Sequence, residues 1–158
     1  MKLYLRQNPF SRRDRFQVTE QTGRKAYTIE GALFAFTKQF AILDSKDKEA
    51  AVVKEKALTL SPQYLVESHG RKIAEIIRKP SLIGSSYAVK GPGWQINGDF
   101  QSHVFVIRSG AETIARITKR WMTQADIYEI QIRKNDDALL VLACALVIDA
   151  VQFDEKKK

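Results

Sequence analysis

The most regularly spaced residues that could do chemistry in this sequence are basic. Ala51-Val52-Val53-Lys54-Glu55-Lys56, Ala74-Glu75-Ile76-Ile77-Arg78-Lys79 and Ala115-Arg116-Ile117-Thr118-Lys119-Arg120 share one layout. In each, a Val or Ile stands two places after the Ala and a basic residue five places after it. A tyrosine follows at thirteen places: Tyr64, Tyr87 and Tyr128. A unit repeated in this way reads as a hairpin of strand, basic connection and strand. Equivalent hairpins bring Lys54, Lys56, Arg78, Lys79, Lys119 and Arg120 to comparable strand ends. Gathered there, they suit phosphorylated headgroups, each cation near an anionic surface contributing about 1 kcal/mol. The plainer role for such residues is to finish exposed strands and discourage association. Arg12, Arg13 and Arg15 form a second basic cluster open to the same two readings.

Other chemistry is scarce. His69 precedes Gly70 in a turn signal, and His103 follows Asp99, where it would structure a corner. Two histidines and one cysteine give no zinc-ligand spacing. Gly91-Pro92-Gly93 lacks the Lys-Ser/Thr and the following helix of a phosphate loop. Asp14 and Asp126 occupy matching positions before strands, which suits turn-forming carboxylates better than a catalytic pair. The expectation is a protein that is not an enzyme and needs no metal or cofactor. Nucleic acid is an unsuitable partner, because the aromatic residues alternate toward a core and do not stand among exposed cations.

The elements that must position these residues are strands. Phe16-Gln17-Val18, Tyr27-Thr28-Ile29, Phe40-Ala41-Ile42, Tyr64-Leu65-Val66, Tyr87-Ala88-Val89, Trp94-Gln95-Ile96 and Tyr128-Glu129-Ile130 share a pattern. Each puts an aromatic and a β-branched residue on the same face of a strand. Turn signals punctuate them: Gln21-Thr22-Gly23, Asp44 to Asp47, Ser68-His69-Gly70, Lys90 to Gly93, Ser109-Gly110 and Lys134-Asn135-Asp136. Short strands spaced by turns predict an all-β sandwich or barrel.

One segment breaks the pattern. From Ala138 to Ile148 every residue is apolar. A helix apolar all round must be enclosed, and this run falls short of the roughly 20 residues that cross a bilayer. Asp136 and Asp137 precede it, where a capping carboxylate and a favourable charge are expected. Cys144 lies inside the run and reads as a small core residue. A sandwich would want a helix with a polar face. A closed barrel of ten to twelve strands instead has a lumen that an apolar helix can fill.

Composition agrees with one soluble domain. The chain has 158 residues, 44% hydrophobic and 28% charged, with 26 basic against 18 acidic residues and a net charge of +8. That excess favours encounter with anionic partners. One cysteine forbids an internal disulfide, and the first residues do not read as a secretory signal, so a cytoplasmic location is expected. The domain is read as residues 1–153, with 154–158 as a charged tail.

The sequence also resembles the LURP-one-related family. The residues that carry this are Lys2-Leu3-Tyr4-Leu5-Arg6-Gln7, the Phe10-Ser11 segment with Asp14 and Phe16, Trp121 with Asp126 and Tyr128, Trp94 to Phe100, and the terminal apolar helix. The likeness spans residues 1 to 151 and is similar in layout to the short bacterial members. It implies a tubby-like fold, a closed antiparallel barrel of about twelve strands around a central hydrophobic C-terminal helix. That fold is shared with the phosphoinositide-binding tubby domain and with phospholipid scramblases. The chain departs from the family at Arg12-Arg13 and Gln124-Ala125, where members often carry an aromatic-Gly pair. The reading is therefore a binding or scaffold domain, peripheral to membranes through anionic phospholipid. Its alternative is a protein-interaction module with no lipid role. Scrambling would require expelling the helix and emptying the barrel.

Overall fold

A computed structural model describes residues 1–7, 15–34, 37–99, 103–120 and 127–156. In chain order the strands are β1 (Lys2–Gln7), β2 (Arg15–Glu20), β3 (Lys25–Phe34), β4 (Thr37–Leu43), β5 (Glu49–Glu55) and β6 (Gln63–Ser68). They continue as β7 (Arg71–Lys79), β8 (Ser85–Lys90), β9 (Trp94–Asp99), β10 (Val104–Ser109), β11 (Glu112–Arg120) and β12 (Ile127–Ile132). Each pairs antiparallel with its sequence neighbours, and β1 pairs with β12, from Lys2 opposite Gln131 to Arg6 opposite Ile127. The sheet therefore closes as the expected tubby-like barrel. Closure leaves no edge strand to protect.

Alternation decides which side chains face inward. Val18, Ile29, Ile42, Val53, Val66, Ile76, Ile96, Ile107, Ile117 and Ile130 are all fully buried. So are Tyr64 and Tyr87 one pleat from Val66 and Val89. The repeated Ala has a structural cause. Ala51, Ala74 and Ala115 each pair with the last residue before a register shift, Ile42, Val66 and Ile107 respectively. A bulge at the same place in three hairpins bends the strands and raises their twist, which is what closing a barrel requires.

A single 3₁₀ turn, Asn135–Asp137, leads from β12 into α1 (Ala138–Lys156). Asp136 and Asp137 place their charge in this turn, but no side chain caps its start at Lys134. α1 runs up the lumen, and from Val141 to Ile148 no residue is more than 2% exposed. The expected enclosure is met on all sides from Val141 to Ile148, while Leu139 and Leu140 at the helix start are half-buried. Among the described residues no helix is long and apolar enough to cross a membrane. Cys144 sits at the centre with no exposed surface, and burial pushes its thiol pKa up. The helix continues past the apolar run to Lys156, and Asp154 and Glu155, read from sequence as tail, pair with Lys38 and Arg78 of the barrel.

The two rims differ. Tight polar turns at 21–24, 44–48, 69–70 and 91–93 occupy the rim where even-numbered strands end, called here the turn rim. Odd-numbered strands end at the opposite loop rim, which carries the connections 56–62 and 80–84. The C-terminal end of α1 emerges at the loop rim.

Candidate functional site

All six of the basic residues singled out from the repeats lie toward the loop rim, near the ends of β5, β7 and β11. They do not form one patch. Lys54, Lys56, Arg78 and Lys79 share one arc, since β5, β6 and β7 are consecutive neighbours. Lys119 and Arg120 stand on β11, separated from β7 by three strands.

Pleat parity divides them further. Ala74 and Ala115 face inward, so Arg78 and Lys119, four places on, face inward too. Arg78 is opposite Tyr87 and Lys119 is opposite Tyr128 across the ladder. The Arg78 guanidinium lies 5.4 Å from the Tyr87 ring centroid, and the Lys119 ammonium 5.5 Å from that of Tyr128. Both cations cover tyrosines at the barrel mouth. Arg78 also pairs with Glu155 on α1 at 3.2 Å.

Three of the outward-facing members, Lys54, Lys56 and Arg120, have carboxylate neighbours. Lys54 pairs with Glu67 at 3.1 Å, Lys56 with Glu75 at 3.1 Å and Arg120 with Glu129 at 3.0 Å. The hydrogen bond from Lys56 holds the Glu75 carboxyl below its ordinary pKa. Partial burial pushes Glu129 up, but hydrogen bonds from Gln131 and Lys2 and the Arg120 charge outweigh it and the net shift is down. Exposed pairs of this kind contribute little to stability and are screened by salt. Lys79 is exposed, and its ammonium has no carboxylate neighbour among the described residues.

The helix end completes the rim. Lys38 donates to the Ala150 carbonyl at 3.3 Å and to Asp154 at 2.7 Å, placing a cation where the helix dipole is negative. Tyr128 donates to Asp149, the carboxylate that ends the apolar run. Tyr64 donates to Glu55 at 2.9 Å. Burial, followed by the nearby Glu55 charge, raises the Tyr64 pKa; burial raises that of Tyr87 against the pull of Arg78. Both phenols therefore stay protonated at neutral pH at the barrel mouth.

The histidines serve turns. His69 and His103 both adopt positive φ, 50° and 55°. The His103 N–H donates to the Asp99 carbonyl at 3.1 Å, the corner expected there. Among the described residues no cluster of three or more His, Cys, Asp or Glu side chains is placed to hold a metal. Arg12, Arg13, Asp14, Gln124, Ala125 and Asp126 lie outside the described residues, as does the side chain of Arg15.

Sequence reasoning passes over another feature of the loop rim. Leu58, Leu60, Leu82 and Ile83 are fully or almost fully exposed, at 105%, 111%, 105% and 91%. The signal was present: large aliphatic residues inside stretches otherwise marked as turns by Ser61-Pro62, Pro80-Ser81 and Gly84-Ser85.

The described residues form a closed antiparallel β-barrel of twelve strands filled by a C-terminal helix. The LURP-one-related family profile matches residues 1–149, and the chain belongs to that family. It is similar to the Bacillus subtilis (strain 168) protein YxjI, with 25% identity over 156 residues that cover 99% of this chain and 96% of the relative. A solved structure of an Arabidopsis thaliana protein superposes with a TM-score of 0.67 at 12% identity. It covers 96% of this chain and 91% of that one. The plant protein supports the fold alone.

Proposed function

We propose that this protein is a non-enzymatic domain that binds anionic phospholipid at membrane surfaces through the loop rim of its barrel. The supporting observation is the arc of cations at the ends of β5 and β7, where exposed Lys79 is available to phosphate groups. Lys54 and Lys56 in the same arc, and Arg120 farther round the rim, join it by exchanging a carboxylate for a headgroup, which costs little because exposed ion pairs are weak. The net charge of +8 steers the molecule toward such a surface. The location that goes with this reading is the cytoplasm, peripheral to the membrane.

Co-sedimentation with vesicles tests the reading. The protein is expected to pellet with phosphatidylcholine vesicles containing phosphatidylserine or a phosphoinositide more than with phosphatidylcholine alone. The double variant Lys79→Glu, Arg120→Glu should bind more weakly, since each cation removed forfeits about 1 kcal/mol, roughly fivefold in affinity. Equal pelleting with neutral and anionic vesicles at low salt would sink the reading. A stoichiometric protein partner captured at this rim, without lipid binding, would favour the interaction-module alternative.

A further inference from the structure

We infer that the loop rim inserts into the bilayer, with Leu58 and Leu60 of one connection and Leu82 and Ile83 of the next as its anchors. The inference rests on the lipid-binding reading and goes beyond it, because it names the side chains that enter the membrane.

Four large aliphatic side chains with essentially no protein cover, carried on neighbouring loops, are an unusual surface feature. Ser61 donates its hydroxyl to the Arg78 carbonyl, and the Arg78 N–H donates to the Pro62 carbonyl at 2.9 Å. Those bonds hold connection 56–62 against the end of β7, from which connection 80–84 departs. The two aliphatic pairs therefore belong to adjacent loops on one rim.

Backbone geometry adds an independent observation. Leu58 has φ of 56°, in the left-handed region. Glycine or asparagine is usual there, and a bulky side chain is strained. Neither burial nor backbone preference accounts for leucine at this position. A partner outside the fold does.

Charge points to which partner. Lys56 stands at the base of the first loop and Lys79 at the base of the second. Lys56 is paired with Glu75, and Glu55 and Asp154 stand beside it, so among the described residues Lys79 is the cation at the base of these loops left to meet a headgroup. Aliphatic tips beyond such a cation match the acyl region and headgroup layer of an anionic bilayer in order of depth. A protein interface would instead favour a flat, contiguous patch with aromatic residues and few lysines at its core. The turn rim lacks such tips; its turns at 21–24, 44–48 and 69–70 are polar.

The test compares the unsubstituted chain with Leu58→Ser, Leu60→Ser, Leu82→Ser, Ile83→Ser combined, on phosphatidylcholine vesicles with phosphatidylserine. The side chains are exposed, so the variant is expected to fold with an unchanged circular dichroism spectrum. Partition should fall at least tenfold. A fluorophore at Leu60→Cys should shift to the blue on vesicles, whereas one at Lys46→Cys on the turn rim should not; Cys144, fully buried, gives no background. If the unsubstituted protein ignores anionic vesicles at low salt, the lipid reading and the insertion fall together. If it binds and the serine variant binds equally, or the Leu60 probe does not shift in the bound protein, insertion alone is overturned. A dimer in sedimentation velocity that the four serines dissolve, with vesicle partition unchanged, assigns the tips to a second copy and also overturns it.

Discussion

Leu142→Asp is expected to leave the chain unfolded. Leu142 has no exposed surface and lies in the stretch of α1 that the barrel surrounds on every side. The polar groups that could receive a carboxylate, Tyr128, Lys38 and Arg78, lie toward the loop rim, beyond Asp149 in the direction of the helix. An aspartate at position 142 must therefore be buried unpaired or protonated, and either costs several kcal/mol. Total stability of a domain this size is about 5–15 kcal/mol. Loss of the leucine's packing adds a further 2–5 kcal/mol, by the usual cost of removing a large core side chain. The check is a thermal melt followed by circular dichroism, with soluble yield beside it. A folded variant with an unchanged melting temperature would mean that the helix is not enclosed.

Gly84→Ala should destabilise the barrel by about 2–4 kcal/mol, combining a left-handed backbone with a steric conflict. Gly84 has φ of +72°, and a Cβ built on it would stand 2.1 Å from the Gly98 carbonyl oxygen. Both obstacles are backbone, so no side chain can turn aside. Gly98 is itself confined, because a Cβ there would meet the buried Phe105 ring at 2.3 Å. Gly23→Ala is the matched control. Gly23 also has positive φ, +88°, but its Cβ would face open space, so its cost is the backbone preference alone, about 1–2 kcal/mol. The difference between the two variants in chemical denaturation measures the close approach of Gly84 to Gly98. Equal destabilisation would show that the approach carries no strain. Gly84 also ends the connection that carries Leu82 and Ile83, which ties loop geometry to barrel geometry.

The barrel was legible because its pattern is local. Aromatic and β-branched residues two apart fix a strand face, and the three Ala-led copies mark bulges that recur with the same spacing. The enclosed helix was legible for a comparable reason: Ala138 to Ile148 offers no polar face, so nothing but a lumen suits it. The rim was only partly legible. Parity alone could have turned Arg78 and Lys119 inward, since each lies four residues after an inward Ala. The company of such rim cations could not be read, because Arg78 meets Glu155 across 77 residues and Lys38 meets Asp154 across 116. Long-range pairs leave no mark on local spacing. The aliphatic tips escaped because Leu58-Thr59-Leu60 and Leu82-Ile83 have no periodicity to set them apart from loop composition. The folded arrangement leaves them without cover among the described residues.

The loop rim is the face proposed to meet a membrane. Hydrogen exchange of the protein with and without phosphatidylserine-containing vesicles reads this directly, segment by segment. Exchange should slow in 56–62 and 80–84 when vesicles are present, and stay unchanged in the turns at 44–48 and 69–70. Raising salt from about 0.1 M to about 1 M shortens the screening length to roughly 3 Å and should weaken that protection without erasing it, because the aliphatic contribution is not screened. Protection at the turn rim, or none at the loop rim in vesicle-bound protein, would contradict it.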